Sequence, residues 1–514
     1  MSTNEFQING HELNIDSVWR IAFDNETKVS ISPDSREKML ASRSYIMGRV
    51  EAGEVIYGVN TGFGAFSSVQ ISEAEIVELQ KNLIRSHSSG VGEPFTVEQT
   101  RAIMLLRANA LARGDSGIRP EVAEKILEFL NHDIVPYVPS QGSVGASGDL
   151  APLSHLALAI IGEGDAWKDD QAVPVKQLLQ ERNVQPLELQ AKEGLSLING
   201  CQVMTGVGLL TLHRARDLAW LTDLAGAMSL EALKGSRKAF DPLISETRAH
   251  PGEAKTARNM VKLMGETSGI SESHLTCGRV QDAYSLRCIP QVHGSVKDAL
   301  QYGLRVLEVE SNSSTDNPLV FPEAEKILSC GNFHGQPVAN ALDFMAIAVA
   351  SMASISECRI AKLINPAMSD LPAFLAPKGG LNSGHMIVQV AAASLVSENK
   401  VLSHPASVDS IPTSADKEDH VSMGTIAARK FDSIVDNSEN IVAMEMLSAC
   451  QALDLLKPLE PSSMVAGAFK KIREQVPFAE TDRVFSKDIE TIYSMIKDRV
   501  FIDMINSELG ELEW

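Results

Sequence analysis

The chain has 514 residues, 44% of them hydrophobic, 22% charged and only 5% aromatic. Ordinary globular composition at this length allows roughly two to four structural units, and scarce aromatics beside plentiful Ala, Leu, Ile, Val and Met favour helices over β-sandwiches. A formal net charge of −20 repels phosphate backbones and anionic lipid, so neither nucleic acid nor a membrane is an expected partner.

The opening MSTNEFQ lacks a basic stretch followed by an apolar one, so no signal peptide is read there and a cytoplasmic location is expected. Ser72 and Glu75 form a capping-box pattern ahead of Ile76, Leu79 and Leu83, which predicts a helix starting at Ser72. A second helix is predicted from about Val97, with Ile103, Leu106 and Ala110 on one stripe, and the glycines and proline from Gly114 to Pro120 predict a turn. From Val135 to Leu153 the chain is rich in Gly, Ser and Pro before the apolar stretch Leu156 to Ile161. This predicts a long irregular loop, functional rather than a linker, leading into a buried helix. The mixed charges of Glu163 to Lys192 predict a surface excursion.

Beyond Gly194 long helices are predicted almost throughout. Val296, Leu300, Leu304 and Leu307 keep helical spacing, and the alanine-rich stretches 338–356, 387–399 and 440–456 suggest close-packed bundle helices. Helices apolar on several faces need neighbours, and subunit association is the expected supplier. The most apolar run, Val338 to Ile355, is interrupted by Asn340 and Asp343 and reads as a core helix rather than a membrane span. The tail from Pro458 to Trp514 predicts further amphipathic helices. The six cysteines are scattered without a CxxC, so neither a disulfide framework nor a metal site is predicted.

Three segments could carry chemistry. GSVGASGDLAPLSH, Gly142 to His155, is glycine-rich; by itself it fits a plain turn, and Asp149-Leu150 stand where a phosphate-binding loop needs Lys and Ser or Thr. YGVNTGFG, Tyr57 to Gly64, lacks the dinucleotide spacing and fits either a glycine-rich turn around a structural tyrosine or a mobile loop. QDAYSLRCIPQV, Gln281 to Val292, contains a Tyr-x-x-Arg pair of the kind common on helix surfaces.

Together these blocks resemble the aromatic amino acid ammonia-lyase and aminomutase family, and the resemblance runs from about residue 10 to about residue 505. It implies a mainly α fold of the fumarase/aspartase-like superfamily, with a long central helical bundle. Residues 1–200 would form an N-terminal domain carrying the Tyr57 lid loop and the prosthetic-group loop, and 201–514 the bundle and C-terminal helices. It also implies that Ala146-Ser147-Gly148 cyclises to a 4-methylidene-imidazol-5-one (MIO), with no external cofactor. The Gly148 nitrogen attacks the Ala146 carbonyl carbon and two waters leave, one carrying the Ser147 hydroxyl. The residue types suit this: Gly148 has no Cβ to block the bend, Ala146 is small, and Ser147 supplies the leaving hydroxyl. A helix starting just after the loop would stabilise negative charge on the ring oxygen.

By the same resemblance Tyr57 is the catalytic base, Arg287 grips the substrate carboxylate with help from Asn317 of TDNPLV, and Tyr284 bonds near the reacting centre. Gln281 and Asn199 of NGCQ contact the prosthetic ring, and Phe333 of GNFHGQP lies against it. Cys201 stands where the family usually has Thr, and Gln336 where its histidine-specific members often have Glu. For the side-chain pocket, SHSSGVGEP around His87, Met386 of NSGHM and above all Glu418 of SADKEDHVSMG resemble the members that act on histidine. A carboxylate can accept an imidazole N–H, whereas a phenyl ring offers it nothing. Lys417 replaces the usual Gln and is a rival partner for Glu418. The expected reaction converts L-histidine to trans-urocanate and ammonia, with a tyrosine or phenylalanine lyase or 2,3-aminomutase as the alternative. The expected assembly is a homotetramer with active sites shared between subunits.

Overall fold

In the computed structural model, residues 5–66, 69–278 and 280–514 are described. They are mainly helical, with short strands paired only into two-stranded sheets. The chain divides into two compact units. The first comprises Met1–His213, Gly303–Asp343 and Pro405–Arg429; the second comprises Arg214–Tyr302, Phe344–His404 and Lys430–Trp514.

At the centre of the first unit lies the helix Val97–Ala112. Its start is fixed by a reciprocal cap, Thr96 Oγ1 accepting from the Gln99 N–H and Gln99 Oε1 from the Thr96 N–H. The sequence shows one apolar stripe here, yet the helix is buried on every side from Thr100 onward. Its polar residues make this tolerable by reaching backbone carbonyls: Arg101 donates to the carbonyls of Ile21, Ala22 and Leu130, and Asn109 to that of Ser311. The helix predicted from Ser72 starts instead at Ile76. Ser72 Oγ bonds the Glu75 side chain rather than a backbone N–H, a 3-10 turn intervenes, and Ile76–His87 follows without a side-chain cap.

The loop expected at 135–153 holds one short strand, Pro139–Gln141, which pairs antiparallel with Val91–Pro94. That pairing draws the SHSSGVGEP segment against the glycine-rich segment, and the Gly90 N–H donating to His155 Nε2 at 3.1 Å adds a second tie. The buried helix expected to follow is Ala151–Ile160, and its first three residues, Ala151 to Leu153, fall within the stretch expected to be loop. The excursion from Glu163 contains a hairpin, Asp165–Lys168 with Gln171–Pro174, and the helix Val175–Arg182.

The predicted long helices are present as Gln202–Ala232, Ile289–Ser311, Gln336–Leu363, Met386–Leu402 and Gly424–Leu455. In the second unit Ala353, Ile360, Val388, Ala392, Val396, Ile441 and Met444 pack as one apolar cluster drawn from three of them, with Phe485 and Ile489 of the tail against it. Gln336–Leu363 is long and apolar enough to cross a membrane, but 61% of its most apolar window is buried within the chain. The small residues of these helices let the backbones approach closely, which is why the stretches are alanine-rich.

Candidate active site

The first unit contains a cavity of about 960 Å³ lined by Tyr57, His87, Ser147, Asn199, Asn317, Phe333 and Glu418, among others. Lys417 lines it too, so eight residues singled out in the sequence for chemistry, spread from position 57 to 418, share one space.

Its floor is the Ala146-Ser147-Gly148 triplet. Gly148 has φ +73°, and a Cβ there would lie 2.1 Å from the Gly200 oxygen, so only glycine fits. Gly148 pairs with Gly200 as a parallel bridge, and the Asp149 N–H donates to the Gly200 carbonyl at 2.7 Å. The NGCQ segment is thus stitched directly to the triplet. Ala146 is buried, while Ser147 faces the cavity and its hydroxyl donates to Glu418 Oε1 at 2.9 Å, across 271 residues of sequence.

Asp149 anchors this floor. Its buried carboxylate accepts from the N–H groups of Val203 and Met204, at the start of the helix Gln202–Ala232, and from Thr425 Oγ1. Burial pushes its pKa up to about 7 against those bonds, which favour the charged form. The next residue, Leu150, takes φ 46°, strained for a branched side chain, and delivers the chain into the helix at Ala151. A helix thus starts three residues past Gly148, as expected directly after the triplet. Below, Arg107 is wholly buried; one of its nitrogens donates to the Asn199 carbonyl and Gln202 Oε1, and its Nε and other NH2 group lack a hydrogen-bond partner.

On one wall Asn317 Oδ1 accepts from the Cys330 N–H at 2.8 Å and from Ser329 Oγ at 3.1 Å. With the oxygen so occupied, the amide NH2 remains as a donor. Asn317 and Asn199 are held from behind by Asp316, whose buried carboxylate accepts from the Asn317 N–H, Asn199 Nδ2, Ser196 Oγ and Lys192 Nζ.

His87, also lining the cavity, has its Nδ1 2.9 Å from the Leu83 carbonyl. A carbonyl only accepts, so Nδ1 carries the proton and Nε2 is left as an acceptor. Burial lowers the His87 pKa, partly opposed by the Leu83 carbonyl and Glu418, keeping the ring neutral near pH 7. Tyr57 is half-buried, with the Gly64 N–H 3.5 Å from its phenol oxygen. Burial raises its pKa above the usual 10; the Gly64 N–H works against that rise and Glu418 adds to it.

A family model for the aromatic amino acid lyases matches residues 13–474. The chain belongs to this family. It is 49% identical over 508 residues to the histidine ammonia-lyase of Myxococcus xanthus, covering 99% of each chain. Among solved structures it is similar to the histidine ammonia-lyase of Trypanosoma cruzi (TM-score 0.91, 42% identity, 98% of this chain and 95% of that one). It is similar also to the tyrosine aminomutase of Streptomyces globisporus (TM-score 0.94, 38% identity, 99% and 100%). The overall fold is thus that of the family's ammonia-lyases and aminomutases alike.

Against the family pattern, three departures have local explanations or limits. Cys201 is buried and its thiol donates to the Phe333 carbonyl at 3.0 Å, so the Thr-to-Cys change keeps a donor there. Gln336 donates to Asn340 Oδ1 and the Ser407 carbonyl, and its own buried oxygen lacks a partner. Lys417 does not take Glu418: the two carboxylate oxygens accept from Ser147 and Thr413.

Four of the singled-out residues, Gln281, Tyr284, Arg287 and Met386, belong to the second unit. There Tyr284 is exposed on the short helix Tyr284–Arg287, with the Arg287 guanidinium 4.7 Å from its ring centroid. Arg287 has a buried Nε without a hydrogen-bond partner. Met386 opens the helix Met386–Leu402. Sequence reading overlooked Asp149 as an anchor, Arg107, the Lys192–Asp316 pair and Thr413. Asp149 borders the triplet and Asp316 lies within TDNPLV, so both could have been found; Arg107, Lys192 and Thr413 carry no local motif.

Proposed function

We propose that this lyase removes ammonia from L-histidine to give trans-urocanate, the first step of histidine degradation, using an MIO group formed from Ala146-Ser147-Gly148. The observation that carries the substrate choice is the Glu418 carboxylate, directed at Ser147 and unclaimed by Lys417. With an apolar ring bound and the Ser147 hydroxyl gone, Oε1 would face that ring without a donor, costing about 1–3 kcal/mol. The triplet fits the prosthetic group: its glycine cannot be replaced, its serine oxygen faces the cavity, and a helix N-terminus follows at once. When formed, the MIO would supply an electrophile that makes the substrate amine a better leaving group.

In this reading Glu418 accepts from the imidazole N–H and His87 helps orient the ring, Asn317 and Arg287 hold the carboxylate, and Tyr57 removes a β-proton. The electron pair left on Cβ forms the Cα–Cβ double bond as the amine departs. Tyr284 bonds near the reacting centre, Asn199 and Gln281 contact the prosthetic ring, Phe333 lies against it, and Met386 faces the substrate side chain. The raised Tyr57 pKa means the phenolate is scarce near neutrality unless positive charge joins it. A guanidinium such as Arg287 and the substrate's own ammonium group are the positive charges this reading supplies.

We place the enzyme in the cytoplasm as a homotetramer whose active sites are completed by residues from several subunits. Ile387, Val390 and Val401 are exposed on one long helix of the second unit, and Phe344 and Ile347 on another. Such apolar surface favours burial against further copies of the chain. Purified protein given histidine, tyrosine and phenylalanine separately is the test: urocanate as the main product supports the reading. Coumarate, cinnamate or a β-amino acid would establish the alternative, a lyase or 2,3-aminomutase for the other aromatic amino acids, for which the likeness to the Streptomyces enzyme speaks.

A further inference from the structure

We propose that Thr413 is the positioning residue for Glu418, its hydroxyl holding the carboxylate at the angle from which it meets the substrate ring. This rests on the histidine reading above.

Glu418 sits at the far end of a tight reversal. Thr413 and Glu418 form an antiparallel bridge, the Thr413 N–H donating to the Glu418 carbonyl at 3.0 Å and the Glu418 N–H to the Thr413 carbonyl at 3.3 Å. Between them Ser414, Ala415 and Asp416 all have left-handed φ, at 52°, 54° and 61°. A run of three such residues without a glycine is strained backbone, held because both ends are pinned. Across the bridge the Thr413 hydroxyl donates to Glu418 Oε2 at 2.8 Å.

The two carboxylate oxygens therefore have different partners. Oε2 is held by Thr413, and Oε1 points to the reacting triplet, where it accepts from Ser147. Ring formation removes the Ser147 oxygen and with it the Oε1 contact. The Thr413 contact involves no atom lost in that step, so it persists. Oε1 is then left facing the cavity with an open acceptor position, the one a ring N–H of the substrate would fill. Without the Thr413 hydroxyl, a flexible glutamate would spread over several rotamers and its carboxylate would lose its aim. Threonine suits the task because its branched side chain is stiff at χ1 and its hydroxyl has a single proton to commit.

The test compares Thr413→Val with Thr413→Ser. Valine keeps the shape and the backbone bridge but loses the hydroxyl; serine keeps the hydroxyl. We expect Thr413→Val to lower kcat/KM for histidine about 10–100-fold, mainly through KM, and Thr413→Ser to stay within about threefold of the unsubstituted enzyme. Intact mass should show the two-water deficit in both, and melting should be unchanged within a few degrees. Inhibition by trans-urocanate should weaken in Thr413→Val, while inhibition by trans-cinnamate, which has no ring N–H, should not. Unchanged kinetics in Thr413→Val, equal weakening of both inhibitors, or failure of serine to restore activity would each overturn the proposal. If the unsubstituted enzyme makes no urocanate from histidine, the functional reading fails and the proposal falls with it.

Discussion

Arg359 in the second unit and Arg107 in the first are both wholly buried, yet they are satisfied very differently. All three Arg359 nitrogens are bonded: Nε and one NH2 group to the two oxygens of Glu445, the other to His293 Nε2. His293 donates through Nδ1 to Asp223, which also pairs with Lys297, and Ser229 and Ser356 donate to Glu445. Every charge in that chain faces an opposite one. Under the cavity floor, by contrast, Arg107 has two nitrogens without a hydrogen-bond partner, and Asp149 is held by N–H and O–H groups alone. A closed network of hydrogen-bonded pairs resists change; a floor whose guanidinium and carboxylates attract one another without direct pairing can respond to charge arriving above it. The bundle network is structural, and the floor is where chemistry is expected.

That contrast can be broken first at the triplet. Ser147→Ala should lose the two-water mass deficit and the ring's near-ultraviolet absorbance, with turnover down at least about 10³-fold, since no side chain replaces the electrophile. Its melting temperature should barely move, and a large drop would count the triplet among the structural elements. Tyr57→Phe should cost about 10²–10⁴-fold in turnover, the range for a lost general base. Because burial raises the Tyr57 pKa, the phenolate fraction grows as pH rises towards it. The unsubstituted enzyme should therefore gain kcat/KM on the alkaline side, and Tyr57→Phe should lack that limb.

In the bundle the opposite pattern is expected. Glu445→Gln leaves the Arg359 guanidinium buried without its counter-charge and should cost about 3–5 kcal/mol of stability by denaturant unfolding. The folded fraction should still show the two-water deficit; its loss would tie the network to ring formation.

Acid should unsettle the same unit. Burial lowers the pKa of His293, and that of His385 to about 3, below the ordinary 6.5. Between the folded and unfolded values the unfolded chain binds more protons, so the stability contribution is complete above about pH 6.5 and is lost as pH falls below it. Melting temperatures from pH 8 to pH 4 check the sign. The smallest effect belongs to Lys417→Gln: an exposed ammonium that does not hold Glu418 should change histidine kcat/KM by less than about fivefold. A larger loss would restore Lys417 as a partner of that carboxylate.

Much of this was legible in the chain. The proposed chemistry of Ala146-Ser147-Gly148 is legible there because the cyclisation it implies would involve neighbouring atoms of one backbone. The long helices are legible because apolar spacing is a local signal, and the stretch at 387–399 lies within the helix Met386–Leu402. The helix start at Ile76 was misread because Ser72 found a side-chain partner in Glu75 in place of the backbone. The single stripe read at Val97–Ala112 understated its burial, since polar residues hide well when carbonyls from other segments receive them.

By itself, then, the sequence determines which atoms can become the electrophile and which residue types can recognise an imidazole. Tertiary structure decides the rest: that Gly200 closes on Gly148, that Glu418 reaches Ser147 from 271 residues away, and that Thr413 rather than Lys417 holds it. The physical reason is reach. Bonds within a few residues are set by local conformation, whereas a carboxylate's partner is whichever donor the packed chain brings within about 3 Å.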